Sequence, residues 1–177
     1  MHANRCDQFV FILSRRILYG KEPPFVSGRP GQHRNAIGRS VSDAFEWYVG
    51  QVTNIKDMLW AAPSFTPPLN EWDVGQVTNM QYMFYYATSF TGAISKWDTS
   101  SVTTMYYMFY SATSFNGDVS QWDTSSTTTM QKMFREAANF NSDVSQWDTA
   151  STTTMYYMFC SATLFNSDVS QWDTSSV

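Results

Sequence analysis

Carboxylates recur at fixed intervals along most of this sequence, and their type and spacing could bind a metal. One column of Asp follows the Trp of every repeat after the first, and a second column lies four residues before the next Trp in the later repeats. Stacked carboxylates and turn carbonyls are the oxygen ligands that Ca²⁺ prefers. Alternatively, each Asp has a local role in its own turn, because an Asp side chain often accepts the backbone N–H of the residue two positions later. The absence of a tight Asp-x-Asp-x-Asp loop favours the local role. The weak metal candidates are Asp98, Asp118, Asp123, Asp143 and Asp148.

Tyrosines form a second set of repeated residues, and they are candidates for binding a ligand. Tyr offers a large contact area with a polar tip, which favours it in binding surfaces. The pattern predicts that the tyrosines point away from the apolar face, although they could instead fill grooves between neighbouring helices. Lys132 and Arg135 interrupt their columns, so the predicted ridge is not continuous. The predicted binding residues are Tyr82, Tyr85, Tyr107, Tyr110 and Tyr157.

Nothing in the sequence assembles a catalytic site. The two histidines, His2 and His33, both lie outside the repeats, and no Ser-His or Cys-His pair recurs with them. No phosphate-binding glycine loop is present either. The sequence therefore predicts a protein that is not an enzyme and that uses no cofactor. The Thr and Ser rows could bind ice or glycans, but rows of this kind more commonly satisfy turns.

A period of 25 residues organises all of these columns. A fixed period in this range is typical of stacked repeat arrays. Residues 47–177 contain five full repeats, 47–71, 72–96, 97–121, 122–146 and 147–171, and part of a sixth. Residues 1–46 lack the repeat and read as a partly disordered linker, because Pro and Gly are dense between Lys21 and Arg39. The Trp column that marks the period is Trp47, Trp72, Trp97, Trp122, Trp147 and Trp172.

Apolar spacing within each repeat predicts one short helix and one short strand. In the third repeat, Met105, Met108, Phe109 and Ala112 are spaced i, i+3, i+4 and i+7, as on one face of a helix. Asp118–Trp122 reads as a short strand after a turn. Equivalent strands would pair in parallel, and the wider spacing of helices would curve the array. The predicted fold class is therefore an α/β repeat, a solenoid of short parallel strands and short helices.

Charge and hydropathy exclude several classes of partner. Residues 1–46 carry a net charge of +3 and residues 47–177 a net charge of −7. An acidic array is a poor match for nucleic acid, whose affinity comes mainly from Lys and Arg. No apolar run approaches the roughly 18 residues of a membrane helix. Phe9–Leu13 is too short for a signal-peptide core, so no export signal is evident.

The repeat resembles that of BspA-like leucine-rich-repeat surface proteins. The resemblance covers residues 47–177 and rests on the Trp-Asp-Thr-Ser-Ser-Val-Thr-Thr-Met-x-x-Met-Phe run at Trp97–Phe109. It implies a leucine-rich-repeat-like solenoid and an adhesion or interaction role at the cell surface or in secretion. The chain departs from the family in having no evident export signal, and in having Ala112 where many family repeats have Cys.

The function predicted from the sequence is recognition through an extended surface, with a protein or a glycan as the ligand. One alternative is a structural spacer within a larger surface protein. Another is an array stabilised by Ca²⁺. The sequence stops at Val177, six residues into a repeat, and this predicts either a truncated chain or, if the chain is full length, end-to-end self-association through an open core face.

Overall fold

The computed structural model describes residues 49–62 and 69–177, and the fold is given for those residues. The predictions made for residues 1–46 and for Trp47 lie outside them. Each 25-residue repeat forms one rung of a stack, and the rungs keep the boundaries of the repeats: rung 1 ends at residue 71, rungs 2 to 4 are 72–96, 97–121 and 122–146, and rung 5 is 147–171. Successive rungs are joined by backbone hydrogen bonds between residues 24 to 26 positions apart.

The predicted fold class is wrong. The described residues contain no helix and no strand longer than a single bridging residue, so they do not form an α/β solenoid of strands and helices. Turns make up most of each rung instead. The regular pairing consists of four isolated parallel bridges, Asn54 to Asn79, Asn79 to Thr104, Thr104 to Thr129 and Thr129 to Thr154. The pairing is parallel, but it lies at the eighth position of the repeat and not at Asp118–Trp122.

The segment predicted as a helix is a run of consecutive turns. In rung 3, the amides of Met108 and Tyr110 donate to carbonyls three residues back, those of Met105 and Tyr107. The alternate amides leave the rung, so that Phe109 N–H donates to the carbonyl of Met133 in rung 4 at 2.9 Å. A helix would close all of these bonds within the segment. The turns place two residues inward and two outward in succession, which reproduces the helical spacing of buried positions.

Left-handed backbone appears twice in every rung. In rung 3, Tyr107 has a φ of 57° and Ser111 a φ of 54°. Each is the third residue of a four-residue turn, where type II turns require a positive φ and usually take Gly or Asn. The same two repeat positions have a positive φ in all five rungs. A non-Gly residue in this region costs about 1–2 kcal/mol, and the bonds between rungs hold it there.

The segment predicted as a strand is also a turn. Trp122 N–H donates to the carbonyl of Val119 at 3.1 Å, and the equivalent bond recurs at Trp97, Trp147 and Trp172. Because neither predicted element forms, the difference in strand and helix spacing that predicted a curved array does not arise.

The core consists of identical side chains stacked from rung to rung. Tryptophans of successive rungs are stacked with ring centroids 6.2–6.4 Å apart from Trp72 to Trp172. Two phenylalanine columns pack beside them with buried Met, Ala and aliphatic columns, and Phe109 lies 4.1 Å from Phe115 in its own rung and 5.4 Å from Phe134 in the next. The predicted stacking of Trp residues is therefore present, although the backbone between them differs from the prediction.

Inward-facing hydroxyls satisfy carbonyls inside the stack. Thr124 is buried, and its Oγ1 donates to the carbonyl of Asp148 in the next rung at 2.8 Å. Thr127 is also buried and donates to the carbonyl of Val102 in the preceding rung. The outer Thr row behaves similarly, with Thr128 Oγ1 donating to the carbonyl of Thr103 at 3.0 Å. These hydroxyls join neighbouring rungs, whereas the sequence predicted only that the Thr rows satisfy turns.

Candidate binding face

One side of the stack collects most of the exposed aromatic side chains. It is formed by the paired outward positions of the turn run, the tenth, eleventh, fourteenth and fifteenth residues of each repeat, and is called the aromatic face below. Trp60, Tyr86, Tyr156 and Tyr157 on this face are 44–57% exposed. Its aromatic members are Trp60, Tyr82, Tyr85, Tyr86, Tyr106, Tyr107, Tyr110, Tyr156 and Tyr157.

The rings of the aromatic face are stacked on one another along the axis of the array. Tyr82 and Tyr107 lie 5.2 Å apart with an interplanar angle of 26°. Tyr85 and Tyr110 lie 4.9 Å apart with an angle of 17°. Trp60 extends the stack on the side of rung 1, 5.4 Å from Tyr82. Much of each stacked ring face is therefore covered by a neighbouring ring.

Cations continue both columns where the tyrosines stop. The Nζ of Lys132 lies 4.8 Å from the centroid of the Tyr107 ring. The guanidinium of Arg135 lies between two rings, 5.6 Å from Tyr110 and 5.5 Å from Tyr157. Cations placed over tyrosine rings in this way are attracted by the ring quadrupole. The ridge that the sequence predicted to be broken at Lys132 and Arg135 is continuous through these contacts.

Glu136 ties three side chains of the face together. Its carboxylate accepts the hydroxyl protons of Tyr110 at 3.0 Å and Ser111 at 2.7 Å, and pairs with Arg135 Nε at 3.2 Å. The Ser111 hydrogen bond is the largest cause of a lowered Glu136 pKa, with Tyr110 and Arg135 adding to it. Burial, followed by the bond to Glu136, raises the pKa of Tyr110 to about 12. The network fixes the position of the Arg135 side chain.

Tyr106 and Tyr107 are neighbours with opposite titration behaviour. Their rings are 4.3 Å apart. Burial and hydrogen bonds to Tyr82 and Tyr107 raise the pKa of Tyr106 to about 12. The Lys132 ammonium donates to the Tyr107 hydroxyl, and this contact lowers the pKa of Tyr107. The lysine therefore contacts Tyr107 both above the ring and at its oxygen.

The structure brings the five sequence-predicted tyrosines into one surface. Tyr82, Tyr85, Tyr107 and Tyr110 form a continuous cluster, and Tyr157 joins it through Arg135. Sequence reasoning missed Trp60, which occupies the Tyr85 position in rung 1. It also treated Lys132 and Arg135 as interruptions. The available signal was that these two cations occupy the same repeat positions as tyrosines of rungs 2 and 3, and that the two positions are three residues apart.

The Asp side chains accept backbone hydrogen bonds within their own turns, which is the local role considered from the sequence. Asp98 Oδ1 accepts the backbone N–H of Ser100 at 3.1 Å, and Asp118 Oδ1 accepts that of Ser120 at 2.9 Å. Asp123, Asp143 and Asp148 make the same bond to the residue two positions on. Within 49–62 and 69–177, no three His, Cys, Asp or Glu residues are grouped closely enough to hold a metal ion.

At Asp118, Asp123 and Asp143 these bonds stabilise the charged form of the carboxylate. The backbone N–H of Ser120 is the largest cause that lowers the pKa of Asp118, while the charge of Asp143 opposes it. For Asp123 the Ser125 hydroxyl is the largest cause, followed by the Ser125 amide. At Asp118 the hydrogen bonds of its own turn thus outweigh the repulsion from the charge of Asp143.

Comparison with known families gives one match. The model of a family described as "Mycoplasma protein of unknown function, DUF285" matches residues 34–136 and 90–177. Together these segments cover most of the chain. The chain belongs to this family. No curated protein and no solved structure matches it.

The family match includes the whole aromatic face, because Trp60 to Tyr157 lie within the matched residues. The family description assigns no activity, so the reading of this face depends on its geometry. In the described part of this family member, no helix is long and apolar enough to cross a membrane.

Proposed function

We propose that this chain is a non-catalytic interaction module that binds a protein or glycan ligand through its aromatic face. The observation that carries the proposal is the exposure of Trp60, Tyr86, Tyr156 and Tyr157 on one side of the stack. Trp, Tyr and Arg are the residues that contribute most to binding energy at protein interfaces. An exposed apolar cluster of this kind is typical of interaction sites.

The rigidity of the face supports a binding role. Stacking, cation contacts and the Glu136 network hold the side chains of rungs 2 to 4 in place. A surface that is already ordered loses little side-chain entropy when a ligand binds. The resemblance to BspA-like surface proteins supports an adhesion role at the cell surface or in secretion.

The alternative functions are supported less well. A structural spacer predicts few exposed aromatic residues, whereas this face carries several. An array stabilised by Ca²⁺ would need oxygen ligands grouped around an ion, but the Asp side chains bond to their own turns.

Binding measurements with matched variants test the proposal. The purified chain would be applied to a glycan array and to an array of extracellular proteins. A Tyr86→Ser/Tyr157→Ser double variant should lose about tenfold or more in affinity for a ligand of the wild type, because it removes exposed contact area. Leu164→Ser is the control, since Leu164 is 57% exposed but lies outside the face. The absence of any ligand, or binding that both variants reduce equally, would favour the spacer.

A further inference from the structure

Arg135 is held in a defined orientation on the aromatic face, in the fourth of the five rungs. Its Nε is paired with Glu136 at 3.2 Å, and its guanidinium lies between the rings of Tyr110 and Tyr157. Among the described residues, its two Nη groups donate no hydrogen bond. A guanidinium anchored on one side presents its remaining donors as a fixed fork, which matches the two oxygens of a carboxylate.

Lys132 adds a second donor beside this fork. Its ammonium contacts the ring and hydroxyl of Tyr107, yet forms no ion pair with a carboxylate in the described part of the chain. The other three described cations are all paired, namely Lys56 with Asp57, Lys96 with Glu71 and Arg135 with Glu136. Lys132 therefore keeps its attraction for an incoming anion.

The distribution of charge directs an anion to this face. Lys56, Lys132 and Arg135 lie on the aromatic face together with two carboxylates, those of Asp57 and Glu136. The remaining described surface carries one cation, Lys96, and nine Asp or Glu residues. An anionic partner is repelled by that acidic surface, and complementary charge favours docking at Lys132 and Arg135.

From these observations we infer that Lys132 and Arg135 receive acidic side chains of an extended segment of a partner protein. The inference deepens the proposed function and rests on it. A polypeptide fits better than an acidic glycan, because sugars pack against open ring faces. Here the faces of Tyr107 and Tyr110 are covered by Tyr82 and Lys132, and by Tyr85 and Arg135. The hydroxyl of the exposed Tyr86, which makes no hydrogen bond to a described residue, can instead bond to a peptide carbonyl.

The test uses a fluorescent hexaglutamate peptide, with hexaglutamine as the neutral peptide and dextran sulfate as the non-peptide polyanion. Fluorescence anisotropy should show saturable binding of hexaglutamate and none of hexaglutamine. Arg135→Tyr should weaken binding about tenfold, the effect of losing a charge-assisted bidentate contact. Tyr already occupies this column in rungs 2 and 3, so the variant fits the fold. Circular dichroism and a thermal melt would verify its folding.

Two further variants separate a shaped site from simple charge. Lys96→Gln also removes one positive charge, but Lys96 lies off the face and Gln occupies its repeat position in rungs 3 to 5. It should change affinity less than about twofold. Arg135→Lys keeps the charge and loses the fork, and should still weaken binding several-fold.

Several results would overturn the inference. The first is that the wild type does not bind hexaglutamate. The second is that Lys96→Gln and Arg135→Tyr lose equal affinity for it. The third is that Arg135→Lys binds it as tightly as the wild type does. Binding of dextran sulfate without hexaglutamate would show that the partner is a polyanion other than a peptide. The proposed function fails separately, when no ligand is found whose binding depends on Tyr86 and Tyr157.

Discussion

The indole nitrogen of Trp122 donates a 3.1 Å hydrogen bond to the carbonyl of Ile94, which lies 28 residues earlier in the chain. The same carbonyl accepts the backbone N–H of Trp97 at 3.2 Å. One oxygen thus closes the turn that ends at Trp97 and also holds the indole of Trp122, the next tryptophan along the stack. Because the arrangement recurs at Trp97, Trp147 and Trp172, the Trp column joins rungs through polar contacts as well as ring stacking.

Replacing Trp122 by Phe should destabilise the stack by about 2 kcal/mol. The substitution removes one buried hydrogen bond and part of the buried ring area. Urea unfolding followed by circular dichroism measures the loss. Trp172→Phe is the matched control, because Trp172 makes the equivalent bond to Val144 but is only half-buried. It should cost less than half as much, and equal losses would contradict a buried role for Trp122.

Acid should destabilise the protein. Hydrogen bonds within the turns lower the pKa values of Asp118, Asp123, Asp143, Asp168 and Asp173 below the ordinary 3.8. The Ser111 hydroxyl has the largest part in lowering that of Glu136 below 4.5.

A carboxyl with a lowered folded-state pKa stabilises the fold above its unfolded pKa and loses that effect as the pH falls through the folded value. The urea midpoint should therefore be steady from about pH 7 to pH 5 and fall from about pH 4 downward. Repulsion that dominates the Asp columns would instead make the midpoint rise on acidification.

Glycine at Ser161 should stabilise the protein. Ser161 is exposed and has a φ of 62°, a conformation that glycine adopts without steric cost. Relief of about 1–2 kcal/mol of strain exceeds the entropy cost of glycine, leaving a gain of about 0.5 kcal/mol. Ser151→Gly serves as the control, because Ser151 is exposed and is not among the residues with positive φ. Thermal melts should shift in opposite directions, and a fall in both variants would refute the strain argument.

Asp123 should act through its turn and not through a metal. Its Oδ1 accepts the Ser125 amide at 2.9 Å and the Ser125 hydroxyl at 2.6 Å. Asp123→Ala should cost about 1 kcal/mol, whereas Asp123→Asn keeps an acceptor and should cost less than half of that. Thermal melts with and without millimolar Ca²⁺ should coincide for the wild type. A saturable rise in melting temperature that Asp123→Asn abolishes would support the Ca²⁺ array instead.

The helix prediction identified the correct buried residues but the wrong backbone conformation. Met105, Met108, Phe109 and Ala112 are all buried, as the spacing predicted. Both a helix and a run of turns with two residues in and two out satisfy that spacing. Tyr and Phe have modest helix propensity, and a helix of about eight residues is marginal by itself. The hydrogen bonds between rungs favour the run of turns, because they use the alternate backbone amides that a helix would need for its own hydrogen bonds.

The sequence predicted which tyrosines lie on the aromatic face, but not how their rings are arranged. The columns identified Tyr82, Tyr85, Tyr107, Tyr110 and Tyr157 as outward residues, since they alternate with the buried pairs. Their stacking depends on ring orientations that only neighbouring rungs fix. The role of Arg135 depends on contacts with Tyr110 and Tyr157 in the rungs before and after it, and on Glu136 beside it.

The sequence by itself determined the 25-residue period, the side chains that fill the interior, and the alignment of the Trp and Phe columns. These follow from which residues are apolar and how often they recur, and burial of apolar area needs no particular backbone conformation. Only the tertiary structure decided that the rungs are built from turns with left-handed residues, and that cations continue the tyrosine stacks. Both depend on hydrogen bonds and ring contacts between residues about 25 positions apart, which a local pattern does not encode.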